Sequence, residues 1–142
     1  MLGYHFSPRL GEVYWIDFPN VGGHEQHGLR PGVIFQNNAG NEHSPNVIAL
    51  PMTSSLKRKD FPTNVYIDKS ETGLPRSSIV LCNNPQTIGK HHVMGYITAL
   101  PDYIMREIAI CNLIASGAAM YLSEADLVYL RKKYEQLNLA FG

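Results

Sequence analysis

An arginine and a threonine, each next to an apolar run, are the residues of this sequence best suited to chemistry. Arg30 precedes the run 33–36, and Thr53 closes the run 47–52. A guanidinium binds phosphate oxygens with a planar fork of N–H donors and stays charged at any working pH. A fixed hydroxyl beside it donates a further hydrogen bond to charge that builds on the phosphorus. The pair predicts a site for phosphodiester chemistry at one edge of a small sheet.

The elements that position these residues are short strands in the first hundred residues. Runs rich in β-branched and aromatic residues, separated by turn formers, are typical of a compact barrel. We predict strands over 12–18, 31–37, 46–53, 63–67 and 78–82, with short strand pieces at 87–88 and 96–97. The segments 37–41 and 71–75 are dense in turn formers and are predicted as turns.

The periodicity changes in the last third of the chain. Apolar residues recur at helical spacing over 101–116, and Gly117 is placed to end that helix. Ser123, followed by Asp126, has the form of a capping box that starts a second helix over 123–140. The apolar stripe of this second helix comprises Leu127, Leu130, Tyr134 and Leu137. We expect the stripe to pack on the body of the protein or on a second subunit.

Length and composition indicate a single domain over 1–142, with a β-barrel body at 9–100 followed by the two helices. The chain has a formal net charge of zero, which argues against a broad basic face for duplex DNA but not against a local groove for a single strand. Its two cysteines form no CxxC pair, so zinc and redox motifs have no support. We expect a reduced, cytoplasmic protein with no signal peptide, membrane span, metal or cofactor.

With these elements in place, the sequence resembles the MazF/PemK family of toxin endoribonucleases. The resemblance covers residues 9–116 and centres on an E-Q-x-G-x-R-P motif followed by P-x-T-S. The core motifs are read at Glu25-Gln26, Gly28, Arg30-Pro31, Pro51 and Thr53-Ser54. Further matches are Gly11-Glu12-Val13-Tyr14-Trp15, Gly22, Gln36-Asn37, Ser44-Pro45, Phe61-Pro62-Thr63-Asn64-Val65, Gly73-Leu74-Pro75 and Pro85-Gln86-Thr87-Ile88.

The resemblance implies a fold class, an activity and partners. The fold would be α+β and mainly β, a small SH3-like or CcdB-like β-barrel whose C-terminal helix corresponds to 101–116, with 123–140 as an additional helix. The protein would act as a homodimer that cleaves single-stranded, usually messenger, RNA without a metal. It would be the toxin of a toxin–antitoxin system, held inactive by an antitoxin whose partly disordered segment lies over the RNA groove.

The same resemblance assigns roles to residues. The catalytic arginine corresponds to Arg30 and the catalytic hydroxyl to Thr53. The supporting or RNA-binding candidates are Glu25, Gln26, Ser54, Lys57, Arg58, Asn83 and Gln86. Family members usually carry an acid where Asn83 stands, an arginine at Gln86 and an aspartate at Gly89, so the proton-transfer residues of those members are replaced here.

These replacements leave the general base and the function class open. Candidates for the base are Glu25, His24 and His27, which lie in the loop before Arg30, and the pair His91-His92. The leading hypothesis is a metal-independent endoribonuclease that uses the RNA 2′-OH as nucleophile. The alternative is a catalytically degenerate member that acts by protein binding, either as a CcdB-like gyrase poison or as an antitoxin-binding module.

Overall fold

The computed structural model describes residues 6–20, 22 and 27–141. Over these residues the chain forms seven strands: β1 (Glu12–Phe18), β2 (Gly28–Ile34), β3 (Asn46–Thr53), β4 (Asn64–Ile67), β5 (Ser78–Leu81), β6 (Gln86–Gly89) and β7 (Val93–Ala99). The helices are α1 (Asn38–His43), α2 (Lys69–Thr72), α3 (Asp102–Ser116) and α4 (Glu124–Phe141), with 3₁₀ turns at Lys90–His92 and Ala118–Tyr121. The predicted class, α+β and mainly β with two C-terminal helices, is confirmed.

The strands form one antiparallel sheet in the order β4-β5-β3-β2-β1-β7, and β6 also pairs with β3. β3 is the centre of this arrangement because it pairs with β2 along one edge and with β5 and β6 along the other. β5 lies beside Met52 and Thr53, whereas β6 lies beside 46–49. After β5 the chain therefore turns away from β3 over residues 82–85, and it then pairs with the same edge of β3 again as β6.

Alternation of side chains along the strands gives the sheet two buried faces. One face, which includes Val13, Leu50 and Met52, packs beneath Ile104 and Ile108 of α3. The other face is a smaller cluster built by Tyr14, Ile16, Phe18, Ile34, Val47, Ala49, Ile88 and Val93. Arg30 and Thr53 belong by register to the second face, at the end of the sheet where β2 begins and β3 ends.

Both C-terminal helices begin and end close to their predicted positions. Gly117 ends α3 with a φ of 83°, in the left-handed region that glycine adopts without strain. The capping box before α4 is confirmed: a carboxylate oxygen of Asp126 accepts from the Ser123 N–H at 2.8 Å, and the Asp126 N–H donates to the Ser123 hydroxyl at 3.3 Å. Among the described helices, none is long and apolar enough to cross a membrane.

Two predicted turns are wrong because capping side chains convert them to helices. The segment 37–41 contains most of α1, since the Asn37 side chain accepts from the Gly40 N–H at 2.8 Å and caps the first turn. The turn predicted at 71–75 overlaps α2, which Asp68 caps at its start and Gly73 at its end. The strand predicted at 31–37 is displaced to Gly28–Ile34, because Gly28 pairs with Phe18.

Candidate active site

Strand register brings the predicted arginine and threonine to the same place. β2 and β3 pair Gly32 with Pro51, Val33 with Leu50 and Ile34 with Ala49. Continuing this antiparallel register by two residues places Arg30 opposite Thr53. Directly opposed residues in an antiparallel pair project to the same face, so both side chains belong to one face at the sheet end.

The guanidinium of Arg30 is half-buried and is held by backbone carbonyls. Its Nε and Nη2 donate to the His27 carbonyl at 3.2 and 3.0 Å, and its Nη1 donates to the Met52 carbonyl at 3.4 Å. An arginine has five N–H donors, so these bonds to described residues leave two for a ligand. Burial lowers the pKa of Arg30, but the group remains a cation.

No carboxylate among the described residues forms a salt bridge with Arg30. A structural arginine that is half-buried is usually paired with an acid, because desolvation of an isolated charge is costly. Here neutral carbonyls orient the side chain without cancelling its charge. This arrangement suits an arginine that receives an anionic ligand.

The hydroxyl of Thr53 is oriented by the chain that follows it. Its Oγ1 accepts a hydrogen bond from the Ser55 N–H at 3.2 Å. A hydroxyl that accepts in this way keeps its own proton for another acceptor. Thr53 is half-buried in the last position of β3, whereas Ser54 is exposed in the loop.

The loop after Thr53 carries cations next to aromatic rings. Lys57 and Arg58 are exposed, and the Arg58 guanidinium lies 5.6 Å from the centre of the Phe61 ring. The Lys59 ammonium lies 5.4 Å from the centre of the Tyr66 ring. These distances are within the range of cation–π contacts.

Tyr66 is a further candidate site residue, which the sequence analysis did not name. It pairs with Ile79, which in turn pairs with Thr53, so the three residues form one row across the sheet. Two strand spacings put Tyr66 about 10 Å from Thr53. The signal was present in the predicted strand 63–67, where buried Val65 and Ile67 alternate with the exposed tyrosine.

Asn83 lies within the turn that interrupts the edge of β3, and Gln86 follows that turn. Asn83 is exposed within that turn, and Gln86 pairs with Ala49 at the start of β6. Ala49 is four residues from Thr53 along β3, which corresponds to about 13 Å. The structure thus places Gln86 on the same sheet face as Arg30 and Thr53, four residues from Thr53 along β3.

The histidine candidates separate into two groups. His27 is exposed, and its carbonyl is bound by Arg30, so it lies at the site. His91 and His92 follow the end of β6 that pairs with Asn46, and their rings are in contact, with centres 4.2 Å apart and planes tilted by 41°. Asn46 is seven residues from Thr53, or about 23 Å along the strand. Across the sheet, however, Val93 pairs with Ile16, and Ile16 pairs with Arg30, so the residue after His92 lies two strand spacings, about 10 Å, from Arg30. His91 and His92 therefore stay candidates for the base.

The remaining predicted residues of the first loop, His24, Glu25 and Gln26, lie outside the described residues. Within the part of the chain that is described, no group of three or more histidine, cysteine, aspartate or glutamate side chains is arranged to hold a metal ion. Cys82 and Cys111 are both free thiols, and burial raises the pKa of the Cys82 thiol to about 12. A thiol of that kind is unsuited to act as a nucleophile.

Known proteins similar to this chain are named as MazF or as endoribonucleases. A relative, the endoribonuclease MazF of Staphylococcus saprophyticus, is 39% identical over 100 residues, which cover 70% of this chain and 83% of the relative. A solved endoribonuclease in complex with its cognate antitoxin, from a mycobacterial species, is 29% identical, with a TM-score of 0.64 over 78% of this chain and 96% of that one. MazF from Deinococcus radiodurans shares the fold, with a TM-score of 0.69, 24% identity, and 79% and 98% coverage.

The family comparison covers the strands, the site and most of α3. The sequence model of the PemK-like, MazF-like toxins of type II toxin–antitoxin systems matches residues 9–111, which is most of the chain. Arg30 and Thr53 both lie inside this match, whereas α4 lies beyond it. The chain therefore belongs to the PemK-like, MazF-like family of type II toxins.

Proposed function

We propose that this toxin is an endoribonuclease that cleaves single-stranded RNA by internal attack of a 2′-OH, with Arg30 and Thr53 as catalytic residues. The observation that carries the proposal is the half-buried Arg30 cation, which no described carboxylate neutralises and which register places opposite Thr53. A phosphodiester supplies the missing anion. The names of the relatives, which are endoribonucleases, support the same class of reaction.

In the proposed reaction the 2′-oxygen attacks the adjacent phosphorus and the bond to the 5′-oxygen breaks. The products are a 2′,3′-cyclic phosphate and a 5′-OH, and DNA is not a substrate because it lacks the nucleophile. Charge increases on the two non-bridging oxygens in the transition state. The free N–H groups of Arg30 and the Thr53 hydroxyl proton are suited to bind these oxygens, so the cation takes the role for which many nucleases use a metal.

Two protons must move during this reaction. One leaves the 2′-OH, and one is delivered to the departing 5′-oxygen. His27 is the described titratable residue whose backbone is tied to Arg30. We assign it the role of base or acid, with Glu25 and His24 as neighbours in sequence. His27→Gln is expected to lower the cleavage rate about 10²–10⁴-fold with RNA affinity retained.

His43→Gln is the matched control, because the exposed His43 ends α1 and precedes the end of β3 that is opposite to Thr53. It is expected to leave cleavage unchanged. Equal activity of the two variants would remove His27 from the mechanism and leave Glu25 or His24 as the base. Reduced activity of His91→Gln or His92→Gln, with His27→Gln fully active, would instead assign the base to that pair.

The experiment that tests the function is incubation of the purified protein with a long unstructured RNA in EDTA. Thr53→Val removes the hydroxyl but keeps the shape, and is expected to cost about 10²–10³ in rate, as for other fixed donors. Thr53→Ser is expected to retain most of the activity. Arg30→Ala is expected to abolish cleavage, whereas Arg106→Ala, an exposed arginine of α3, is the matched control. Cleavage by the Arg30 variant at the parental rate would contradict the proposal.

The rest of the proposed function concerns partners. We propose a homodimer whose RNA groove includes Arg30, Thr53 and the cationic loop with Lys57 and Arg58. An antitoxin inhibits it by folding a partly disordered segment over this groove, as expected for an acidic or extended segment that competes with RNA. Protection of the groove from RNA in the complex supports this; an antitoxin bound only on a remote surface would refute occlusion.

A second candidate function is favoured by Asn83 and Gln86, which are neutral where the family usually carries an acid and an arginine. A toxin that binds a protein target without cutting RNA would tolerate these replacements. The RNA-cleavage assay in EDTA distinguishes this function from the leading proposal. If the folded parent leaves RNA intact at all concentrations, binding without cleavage replaces the leading proposal.

A further inference from the structure

Tyr66 presents an exposed aromatic ring on the same sheet face as the candidate site. It is 38% exposed on β4, which pairs with β5 alone among the described strands and so forms one edge of the sheet. Its partner Ile79 also pairs with Thr53, so the side chain of Tyr66 belongs to the face of Arg30 and Thr53. The ring is therefore accessible to a ligand that crosses this face.

A cation is held over this ring by a loop that is closed by its own hydrogen bonds. The Lys59 ammonium lies 5.4 Å from the centre of the Tyr66 ring. In the loop that carries Lys59, the Arg58 carbonyl accepts from the Asn64 side-chain amide at 2.9 Å and from the Phe61 N–H at 3.0 Å. A loop fixed in this way loses less conformational freedom when a ligand binds. The ring and the cation are thus preorganised.

The chemistry of this pair indicates the class of ligand. An aromatic ring stacks on the π-face of a nucleobase, and an ammonium group binds the phosphate of the backbone. A single strand offers both groups in each nucleotide, whereas a duplex keeps its base faces stacked inside the helix. The pair therefore suits an unpaired nucleotide.

The position of the pair distinguishes it from an ordinary surface contact. Lys133 lies 5.7 Å from the centre of the Tyr129 ring in α4, so a lysine over an exposed tyrosine occurs elsewhere in this chain. Tyr66 differs because it lies in the row that contains Thr53, two strand spacings or about 10 Å away. An RNA strand whose phosphate is bound at Thr53 brings a neighbouring base to this ring.

We propose that Tyr66 and Lys59 form a subsite for an unpaired RNA base next to the cleaved bond, with the base on the ring and its phosphate on the ammonium group. This inference rests on the proposed RNA cleavage and adds the residues that position the strand for it. Stacking tolerates any base, because every base has a π-face. The subsite therefore selects single-stranded over duplex RNA and does not read the sequence.

The test measures binding separately from cleavage. The parent protein is first used to map a cut in a long RNA, and an oligonucleotide spanning that cut is made with a 2′-deoxy residue at the cleaved position, so that it binds without being cut. Tyr66→Val removes the ring and keeps a residue type that suits a strand. It is expected to weaken binding of this oligonucleotide about 5–150-fold.

Tyr66→Phe is the conservative variant. The Tyr66 hydroxyl donates to Asp68 Oδ2 at 3.4 Å, a contact that stacking does not need. Tyr66→Phe is therefore expected to retain the parental affinity. Loss of affinity in this variant as large as in Tyr66→Val would show that the hydroxyl binds the RNA and would overturn the stacking subsite.

Oligonucleotides that lack one base in turn identify the base that stacks on Tyr66. For the parent, removal of that base is expected to weaken binding by the same factor as Tyr66→Val. The variant is expected to be insensitive to the same removal, since the two changes delete one contact. Equal sensitivity of parent and variant at every position would refute the subsite.

Tyr129→Val is the matched control, because it removes an exposed tyrosine that also lies beside a lysine. It is expected to leave binding unchanged. Parental affinity of Tyr66→Val, or equal weakening in both variants, would overturn the subsite, even where cleavage still requires Arg30 and Thr53. A folded parent that neither binds nor cuts RNA would refute the proposed function and this inference with it.

The salt dependence of binding tests the role of Lys59. Removal of one phosphate contact to a single strand lowers the slope of log affinity against log salt concentration by about 0.7. Lys59→Gln is expected to show this change, whereas Lys133→Gln is expected to keep the parental slope. An unchanged slope for Lys59→Gln would refute its contact with phosphate.

Discussion

Replacing Gly32 by alanine is expected to destabilise the fold and to disturb the support of Arg30. Gly32 lies two residues after Arg30 on the same face of β2. A Cβ at this position would lie 2.7 Å from Phe18 Cζ and 2.8 Å from Ile16 Cδ1. Both side chains are almost fully buried, so they have no free space to move into.

The size of the expected loss in the free energy of unfolding follows from this steric overlap. Inserting a methyl group into a well-packed region typically costs about 1–3 kcal/mol. In a strand without steric conflict, glycine is instead about 0.5–1 kcal/mol less favourable than alanine. For a chain of this size, the expected loss in the free energy of unfolding lowers the melting temperature by about 3–10 °C.

The assay is urea and thermal unfolding of Gly32→Ala beside Gly95→Ala. Gly95 is also a strand glycine, but a Cβ there would meet Trp15 Cδ1 at 3.8 Å, an ordinary contact. The control is expected to be neutral or slightly stabilised. Equal stability of the two variants would refute the packing argument.

The rate of RNA cleavage shows whether the packing of Ile16 and Phe18 also positions Arg30. Ile16 pairs with Arg30 across β1 and β2, so a shift of its side chain is expected to move the guanidinium. Well below its melting temperature, Gly32→Ala should therefore cleave RNA more slowly than Gly95→Ala. Destabilisation with an unchanged cleavage rate would show that Ile16 and Phe18 do not position Arg30.

Two further predictions concern polar and thiol groups in the interior. Asn41→Ala is expected to lower the free energy of unfolding by about 1–3 kcal/mol in a urea titration, because it leaves the partly buried Gln36 carbonyl without the bond that the buried Asn41 donates at 2.9 Å. The exposed Asn138→Ala is the control, and an equal effect of the two substitutions would contradict this reasoning. At pH 8 the Cys82 thiol, whose pKa burial raises to about 12, is expected to resist alkylation in the folded protein, since only about one group in 10⁴ is ionised. Burial also raises the pKa of Cys111, so mass spectrometry should find both thiols labelled quickly only after unfolding, and rapid labelling of Cys82 in the native state would refute its burial.

Several motif residues that support the family resemblance form hydrogen bonds that stabilise this fold. Gln36 binds the buried Asn41, its side-chain amide donating to Asn41 Oδ1 at 3.1 Å, and Asn37 caps α1. Glu12 accepts from the Tyr14 hydroxyl at 3.1 Å. Burial of Tyr14 and the neighbouring Glu12 carboxylate raise the pKa of that tyrosine. These residues shape the sheet that positions Arg30 and need no direct role in chemistry.

Most element types were predictable from local patterns, but the two short helices α1 and α2 and several boundaries were not. Strand β1 and helix α3 follow from β-branched runs and from helical periodicity, which are properties of neighbouring residues. The helix α1 was missed because a sequence rich in asparagine and glycine is typical of turns. It forms because Asn37 and Asn41 find partners within the fold, and those partners are visible only in three dimensions.

The sequence by itself determined the family and the fold class, and it suggested Arg30 and Thr53 as the candidate pair, because motif residues and their spacing are local properties of the chain. Only the tertiary structure decided which candidates meet. β-register placed Arg30 opposite Thr53, put Val93, the residue after His92, two strand spacings from Arg30, and added Tyr66 to the row across the sheet. Strand pairing joins residues far apart in sequence, so the distances that define a site arise only when the sheet assembles.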